Sequence, residues 1–230
     1  MVRTAAAVWL AVTVTSACGR GTAPPPADDA GGVGHAVEQP AAARPRIVFL
    51  GDSLTAGYGL DAREAYPSLI AERLRAAGLE FEVVNAGVSG DTSAGGLSRI
   101  DWSLEGDVRV LVVALGGNDA LRGLGTAELE RNLGRIIERA RGRGARVILA
   151  GMEAPPNLGP AYTSAFRAVY RDLASRHGVA LIPFLLDGVA GNATLNQADG
   201  IHPNAAGARR VADLVWPHVE RAAREAAQHD

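Results

Sequence analysis

The chain has 230 residues, of which 47% are hydrophobic and 21% charged, and its formal net charge is −2. This composition is typical of one globular domain and excludes a collagen, a coiled coil and a wholly disordered chain. Because the charge is nearly balanced, we expect no nucleic-acid partner. The sequence holds no lysine and a single cysteine, Cys18, which excludes Schiff-base chemistry, an internal disulfide and a thiolate zinc site.

The N-terminal segment has the pattern of an export signal. Arg3 precedes an apolar run at residues 5–14, and the small residues Ser16 and Ala17 stand directly before Cys18. The run is too short to span a bilayer, and the arrangement resembles a bacterial lipoprotein signal, in which the cysteine is lipidated. We therefore predict a signal at residues 1–17 and an exported protein, either periplasmic or anchored to the membrane through Cys18. Plain secretion is the alternative.

The segment that follows predicts a linker and then one domain. Residues 18–45 are rich in Pro, Gly and Ala and show no apolar periodicity, which is typical of a flexible linker. Structured sequence occupies residues 46–226, a length suited to a single domain. The predicted organisation is thus signal, linker and domain.

Strand and helix patterns alternate along this domain. Short apolar, β-branched runs predict five strands, at residues 47–50, 81–85, 108–115, 146–151 and 179–183. Each is followed by a helical pattern, at residues 66–77, 94–104, 126–141, 162–177 and 204–226. The alternation predicts an α/β fold, a single three-layer α/β/α domain with a five-stranded parallel sheet. Ligands of such sheets bind beyond the carboxyl ends of the strands, so the residues there are the functional candidates.

The first three predicted strands each end in a small polar motif. Gly-Asp-Ser-Leu at residues 51–54 makes Ser53 a candidate nucleophile, with an ordinary packing turn or helix cap as the alternative. After the second strand, Gly90 can bring a bare backbone N–H toward a ligand, or the segment simply starts a helix. After the third, Asn118 offers a side-chain amide, or caps a turn.

A carboxylate and an imidazole stand three residues apart just before the last predicted helix. Asp199 can orient the ring of His202 while the other ring nitrogen faces a nucleophile, which is the division of labour of a Ser-His-Asp triad. No other histidine has such a position. A metal site built from Asp52, Asp119 and His202 is an alternative, but it lacks the close ligand pair of a zinc helix motif.

Four blocks, at residues 51–59, 87–92, 116–119 and 199–203, resemble the signature blocks of the SGNH, or GDSL, hydrolases in order and spacing. Residues 154–162 and the helix after them resemble the bacterial acyl-CoA thioesterase I, lysophospholipase and arylesterase branch. The resemblance implies a flavodoxin-like SGNH hydrolase fold. It also implies a serine esterase that forms an acyl-enzyme and requires no metal or organic cofactor.

Carried over position by position, the resemblance implies that Ser53 is the nucleophile, His202 the base and Asp199 the group that holds the imidazole. The implied oxyanion hole consists of the backbone N–H groups of Ser53 and Gly90 and the side-chain amide of Asn118. Three donors aimed at one developing oxyanion suit acyl transfer.

The substrates implied are aryl esters, acyl thioesters and lysophospholipids. Leu121, Met152, Pro155 and Ile201 are candidates for an apolar acyl-chain site, with loop packing as the alternative for each. Since coenzyme A thioesters are cytosolic, an exported enzyme favours lysophospholipids or other small acyl esters. We expect a monomer. The competing functions are a carbohydrate O-deacetylase of the same fold and a non-catalytic lipid- or glycan-binding lipoprotein.

Overall fold

The structure, a computed structural model, describes residues 44–228. One sheet of five parallel strands has the order β2-β1-β3-β4-β5, with β1 at Arg46–Gly51, β2 at Glu82–Gly87, β3 at Val108–Ala114, β4 at Arg146–Ala150 and β5 at Ala180–Ile182. The predicted α/β fold with a five-stranded parallel sheet is confirmed. The predicted signal, Cys18 and the linker up to residue 43 lie outside the described residues.

The middle of the sheet is buried on both faces. From Ile47 to Leu50 in β1 no residue is more than 1% exposed, and Val110 to Val113 in β3 are fully buried. A continuous apolar run, rather than strict alternation, is what a strand covered on both sides requires. β2 lies at the edge of the sheet and is only partly buried.

Eight α-helices cover the sheet within residues 44–228. They are α1 Ser53–Ala56, α2 Tyr66–Ala76, α3 Ser93–Ser98, α4 Ile100–Ser103, α5 Gly117–Leu121, α6 Thr126–Gly142, α7 Pro160–His177 and α8 Ala205–Ala227, with a 3₁₀ turn at Pro156–Leu158. α2 packs against α8, and α6 packs against α3 and α7. Because crossovers between parallel strands are right-handed, this strand order puts the two groups on opposite faces of the sheet, which gives three layers. None of the described helices is long and apolar enough to cross a membrane.

Two features of the helices differ from the sequence prediction. The single helix predicted at residues 94–104 is wrong: α3 and α4 meet at Arg99, where the backbone (φ −112°, ψ 9°) leaves the helical region. α1 and α5 were not predicted, because four or five residues are too few to show a helical period. Both short helices directly follow a central strand, so they place polar residues at the carboxyl ends of the strands.

The strand order brings the carboxyl ends of β1, β2 and β3 together. β1 lies between β2 and β3, so the chain leaves β1 toward one side of the sheet and β3 toward the other, and a crevice opens between these two strands where the connections part. Such a crevice at the carboxyl ends is where open α/β sheets bind ligands. Residues that follow each of the three strands therefore meet at one place.

The last helix, α8, holds a loop near the same carboxyl ends. Asn204 caps α8, its Oδ1 accepting the N–H groups of Ala206 and Gly207, both at 3.0 Å. The Asn204 amide also donates to the carbonyl oxygens of Thr194, at 2.9 Å, and Asn196, at 3.2 Å. Because these bonds involve both the helix and residues 194–196, the intervening loop at residues 197–203 is held at both ends.

Candidate active site

Ser53 is the first residue of α1, directly beyond the end of β1. Asp52 caps this helix, since its Oδ1 accepts the Leu54 N–H at 3.0 Å. Gly57 ends it in a left-handed conformation, with its N–H donating to the Ser53 carbonyl at 3.1 Å. A backbone N–H in the first turn of a helix has no acceptor within that helix. Ser53 therefore places both its hydroxyl and its backbone N–H at the carboxyl end of β1.

His202 and Asp199 are placed in line with that hydroxyl. His202 Nε2 is 2.9 Å from Ser53 Oγ, and His202 Nδ1 is 2.7 Å from Asp199 Oδ2. Asp199 Oδ1 accepts the backbone N–H groups of Ile201 and His202. The hydrogen bond from the His202 ring, followed by these backbone bonds, lowers the pKa of Asp199 to about 2. The ionised carboxylate accepts from Nδ1–H, which leaves Nε2 free to accept the Ser53 proton.

Gln197 and Tyr58, which were not among the predicted site residues, hold the histidine loop against the nucleophile segment. The Gln197 N–H donates to the His202 carbonyl at 2.7 Å, and Gln197 Nε2 donates to the carbonyls of Tyr58, at 2.7 Å, and Pro203, at 3.0 Å. The Tyr58 ring lies against the His202 ring, with centroids 4.7 Å apart. Tyr58 falls within the block at residues 51–59, whereas no motif or periodicity marks Gln197.

Gly90 and Asn118 lie beyond the ends of β2 and β3, as their positions in the sequence predicted. Gly90 has a φ of +81°, and its carbonyl accepts a hydrogen bond from Arg122 Nη2 at 2.7 Å. Asn118 Nδ2 donates to the Asp91 carbonyl at 2.9 Å and lies 3.3 Å from Asp52 Oδ2. Ser53, Gly90 and Asn118 all line one cleft.

The two buried aspartates beside the site are held by protein donors. Burial raises the pKa of Asp52 to about 6, although the Leu54 N–H opposes this shift. The Asp119 carboxylate accepts both the N–H and the hydroxyl of Ser93, at 2.8 and 2.5 Å, and so connects α5 to the start of α3. Over residues 44–228, no group of three or more His, Cys, Asp and Glu side chains is placed to hold a metal ion.

The cleft has a volume of about 820 Å³, within the roughly 300–1,000 Å³ typical of ligand pockets. It contains all four residues predicted as acyl-chain contacts, Leu121, Met152, Pro155 and Ile201. Leu121 and Ile201 are each at least half exposed, whereas Met152 is buried. Further apolar residues that were not predicted complete the lining, among them Leu54, Ala154, Phe184, Leu186 and Ala190.

Comparisons with known proteins found one matching family and several similar chains. The sequence profile of the GDSL-like Lipase/Acylhydrolase family matches residues 49–210. Esterase TesA of Pseudomonas aeruginosa is 46% identical over 180 residues, covering 78% of this chain and 90% of the relative. Thioesterase 1/protease 1/lysophospholipase L1 of Escherichia coli K12 is 38% identical, with 78% and 86% covered. A crystal structure of TesA aligns with a TM-score of 0.74 at 44% identity, covering 77% of this chain and 99% of that one.

Proposed function

The chain belongs to the GDSL-like lipase/acylhydrolase family and is a carboxylic ester hydrolase of the serine esterase type, and we propose that Ser53, His202 and Asp199 are its catalytic triad. The observation that supports this assignment is the line of hydrogen bonds from Asp199 Oδ2 through the His202 ring to Ser53 Oγ, at 2.7 and 2.9 Å. Ser53 and His202 both line the cleft.

The proposed reaction has two steps. Ser53 Oγ attacks the acyl carbon while His202 Nε2 takes the hydroxyl proton, and the ionised Asp199 stabilises the resulting imidazolium. The bond to the leaving alcohol or thiol then breaks, and the imidazolium gives that group its proton. Water attacks the acyl-enzyme with His202 again as the base, which releases the carboxylic acid and restores the serine.

We assign the oxyanion hole to the N–H groups of Ser53 and Gly90 and to Asn118 Nδ2. One hydrogen of the Asn118 amide is used by the Asp91 carbonyl at 2.9 Å. Its 3.3 Å separation from Asp52 Oδ2 is longer than the roughly 2.7–3.2 Å of a good N–H···O bond. The second amide hydrogen is therefore held only by this long bond, which an oxyanion can replace.

The proposed natural substrates are lysophospholipids or other small acyl esters. The apolar cleft supports this choice, because an acyl chain gains free energy by leaving water for such a surface. The relative from Escherichia coli is named a thioesterase and a lysophospholipase. Thioesters of coenzyme A are cytosolic, so the predicted export disfavours them as the natural substrate. Thioesterase activity in vitro is still expected.

The proposed location is outside the cytosol, with Cys18 lipidated at the start of the linker predicted over residues 18–45. The pattern of Arg3, the apolar run and the small residues before Cys18 supports this proposal. We further propose that the enzyme acts as a monomer, since Ser53, His202 and Asp199 all come from one chain. Light scattering of the purified domain tests the last point, and a dimer mass would overturn it.

The test of the proposed function is the hydrolysis rate on p-nitrophenyl esters from acetate to palmitate. We expect a peak at medium chain length and release of fatty acid from lysophosphatidylcholine. Activity on acetate alone would instead identify a deacetylase.

The same series tests the triad. Ser53→Ala and His202→Ala should each lower kcat by about 10³-fold or more while leaving the unfolding temperature unchanged. His177→Ala, a histidine at the end of α7, is the matched control and should keep the wild-type rate. Wild-type turnover by Ser53→Ala would contradict the assignment.

A further inference from the structure

One partly buried ion pair connects the three proposed oxyanion donors. We infer that Arg99 is a positioning residue: through its ion pair with Asp91 and two strand-end carbonyls, it sets the mutual placement of Ser53, Gly90 and Asn118. This inference rests on the proposed function and extends it to a residue that does not line the cleft.

The Arg99 guanidinium contacts three separate acceptors. Nε donates to Asp91 Oδ2 at 2.8 Å, Nη1 to the Ala86 carbonyl at 2.7 Å and Nη2 to the Gly51 carbonyl at 2.9 Å. Ala86 belongs to β2, and Gly51 is the last residue of β1. Arg99 and Asp91 are only 17% and 14% exposed, so solvent screens this pair little. One side chain thus joins two strand ends and the loop after β2.

Each proposed oxyanion donor is connected to an acceptor of this guanidinium, either by one or two residues of chain or by one hydrogen bond. Gly51 precedes Ser53 by two residues, with Asp52 between them. Asp91 directly follows Gly90. The carbonyl of the same Asp91 accepts the hydrogen bond from Asn118 Nδ2 at 2.9 Å. A shift of Arg99 or Asp91 therefore moves all three donors relative to one another.

The three contacts require a guanidinium group. Its N–H groups lie in one plane and point in fixed directions, so that it donates to a carboxylate and two carbonyls at once. The ammonium group of a lysine is compact and does not have this planar arrangement of donors. Arg99→Lys keeps the charge but removes the planar arrangement. Asp91→Asn keeps the shape of the partner and removes its charge. The two variants thus weaken the same ion pair, one by changing Arg99 and the other by changing Asp91.

The chain offers a matched control at the other end of the same strands. Arg46, at the start of β1, donates from Nε to Glu82 Oε2 at 2.8 Å and from Nη1 to the Glu105 carbonyl at 3.2 Å. It thus joins a carboxylate and a carbonyl as Arg99 does, but no oxyanion donor lies nearby in the chain. Arg46→Lys therefore reports what a lost guanidinium fork costs the fold alone.

The experiment measures kcat, KM and unfolding temperature of the wild type, Arg99→Lys, Asp91→Asn and Arg46→Lys on one soluble p-nitrophenyl ester. Misplacement of catalytic donors by about 1 Å costs on the order of 10²-fold. We expect a kcat loss of that order in Arg99→Lys and a smaller loss in Asp91→Asn, with KM unchanged because neither residue lines the cleft. Arg46→Lys should keep the wild-type kcat.

A second readout separates positioning from loss of structure. An alkylboronic acid forms a tetrahedral adduct on the serine and places an oxygen in the hole, so its affinity should weaken in proportion to kcat/KM in Arg99→Lys. The pH at which the rate is half-maximal should stay that of the wild type, because the His202–Asp199 pair is untouched.

The outcomes distinguish this inference from the proposed function. An inactive wild type, or an active Ser53→Ala, overturns the proposed function and this inference with it. An active wild type whose kcat and boronate affinity survive Arg99→Lys overturns the inference alone. If Arg99→Lys does not fold, Asp91→Asn decides: wild-type kcat in that folded variant would also overturn the positioning role.

Discussion

Asp52 is the residue beside the nucleophile whose charge state is most altered by the fold. It is 3% exposed, and burial raises its pKa from 3.8 to about 6. Between these values the folded state keeps a proton that the unfolded chain has lost. The free energy of unfolding therefore falls as pH rises through this window, by about 3 kcal/mol at about 1.4 kcal/mol per pKa unit.

We predict that Asp52→Asn removes this pH dependence. Asparagine carries no charge, and its Oδ1 can still accept the Leu54 N–H that caps α1. Relative to the wild type, the variant should thus gain unfolding free energy as pH rises from about 4 to about 6. Urea denaturation across that range measures the difference in unfolding free energy between the variant and the wild type. The contributions of the other carboxylates are the same in both proteins and cancel in this difference. A difference that does not change with pH would contradict the burial effect.

Single residues were predictable from the sequence where a local motif carried them. Ser53, Gly90 and Asn118 each follow a predicted strand, and the spacing of Asp199 and His202 suggested their pairing. Arg99 and Gln197 were not predictable. Arg99 contacts a carbonyl 48 residues away, and Gln197 contacts one 139 residues away. Contacts of this kind depend on how the chain folds, which a local pattern does not record.

The conformation of the connection between β2 and α3 determines the direction of the Gly90 N–H, which is one of the proposed oxyanion donors. Gly90 adopts a φ of +81°, and a Cβ there would meet only Arg122 Nη2, at 3.8 Å. Space therefore permits a side chain, but the left-handed backbone costs an L-residue about 1–2 kcal/mol. The chain can relieve that cost by rotating the peptide that carries the Gly90 N–H.

Gly90→Ala and Gly178→Ala form a matched pair of variants. Gly178 ends α7 with a φ of +61° and has no atom within 4 Å of an added Cβ. Both variants should lose about 1 kcal/mol of unfolding free energy. Only Gly90→Ala should lose kcat, by up to about 10²-fold for one misplaced donor. Denaturant curves and steady-state rates measure the two effects, and equal kcat values in both variants would contradict the predicted rotation of the Gly90 peptide.

The longer elements were predictable and the short ones were not. The apolar runs of β1 and β3 and the helical periods of α6 and α7 extend over enough residues to show their pattern. α1 and α5 have four and five residues, and their stability comes from tertiary packing rather than from propensity. The break at Arg99 has a related origin, because its side chain is held by the ends of β1 and β2.

At the scale of the whole molecule, the proposed anchor and the proposed active site are separate parts of the chain. The proposed catalytic residues all lie within residues 44–228, and the predicted linker separates Cys18 from them in the sequence.

We predict that Cys18→Ala moves the enzyme from the membrane fraction to the soluble fraction without changing its rate on a soluble ester. The rate should persist because the triad and the cleft do not include residue 18. Cell fractionation and the intact mass of the wild type measure this effect. A wild type that is soluble and carries no lipid mass would rule out the anchor and favour plain secretion.

In the proposed reaction the acyl group of the substrate is transferred to Ser53 Oγ, and this acyl-enzyme can be trapped. The wild type is mixed with a p-nitrophenyl ester, quenched in acid within the steady state and digested with trypsin. Cleavage after arginine gives a peptide of residues 47–63 in which Ser53 is the single serine. We expect this peptide to gain the mass of the acyl group, with fragment ions that place it on Ser53, and Ser53→Ala to show none. Acylation at another residue, or steady hydrolysis by Ser53→Ala, would contradict the claim.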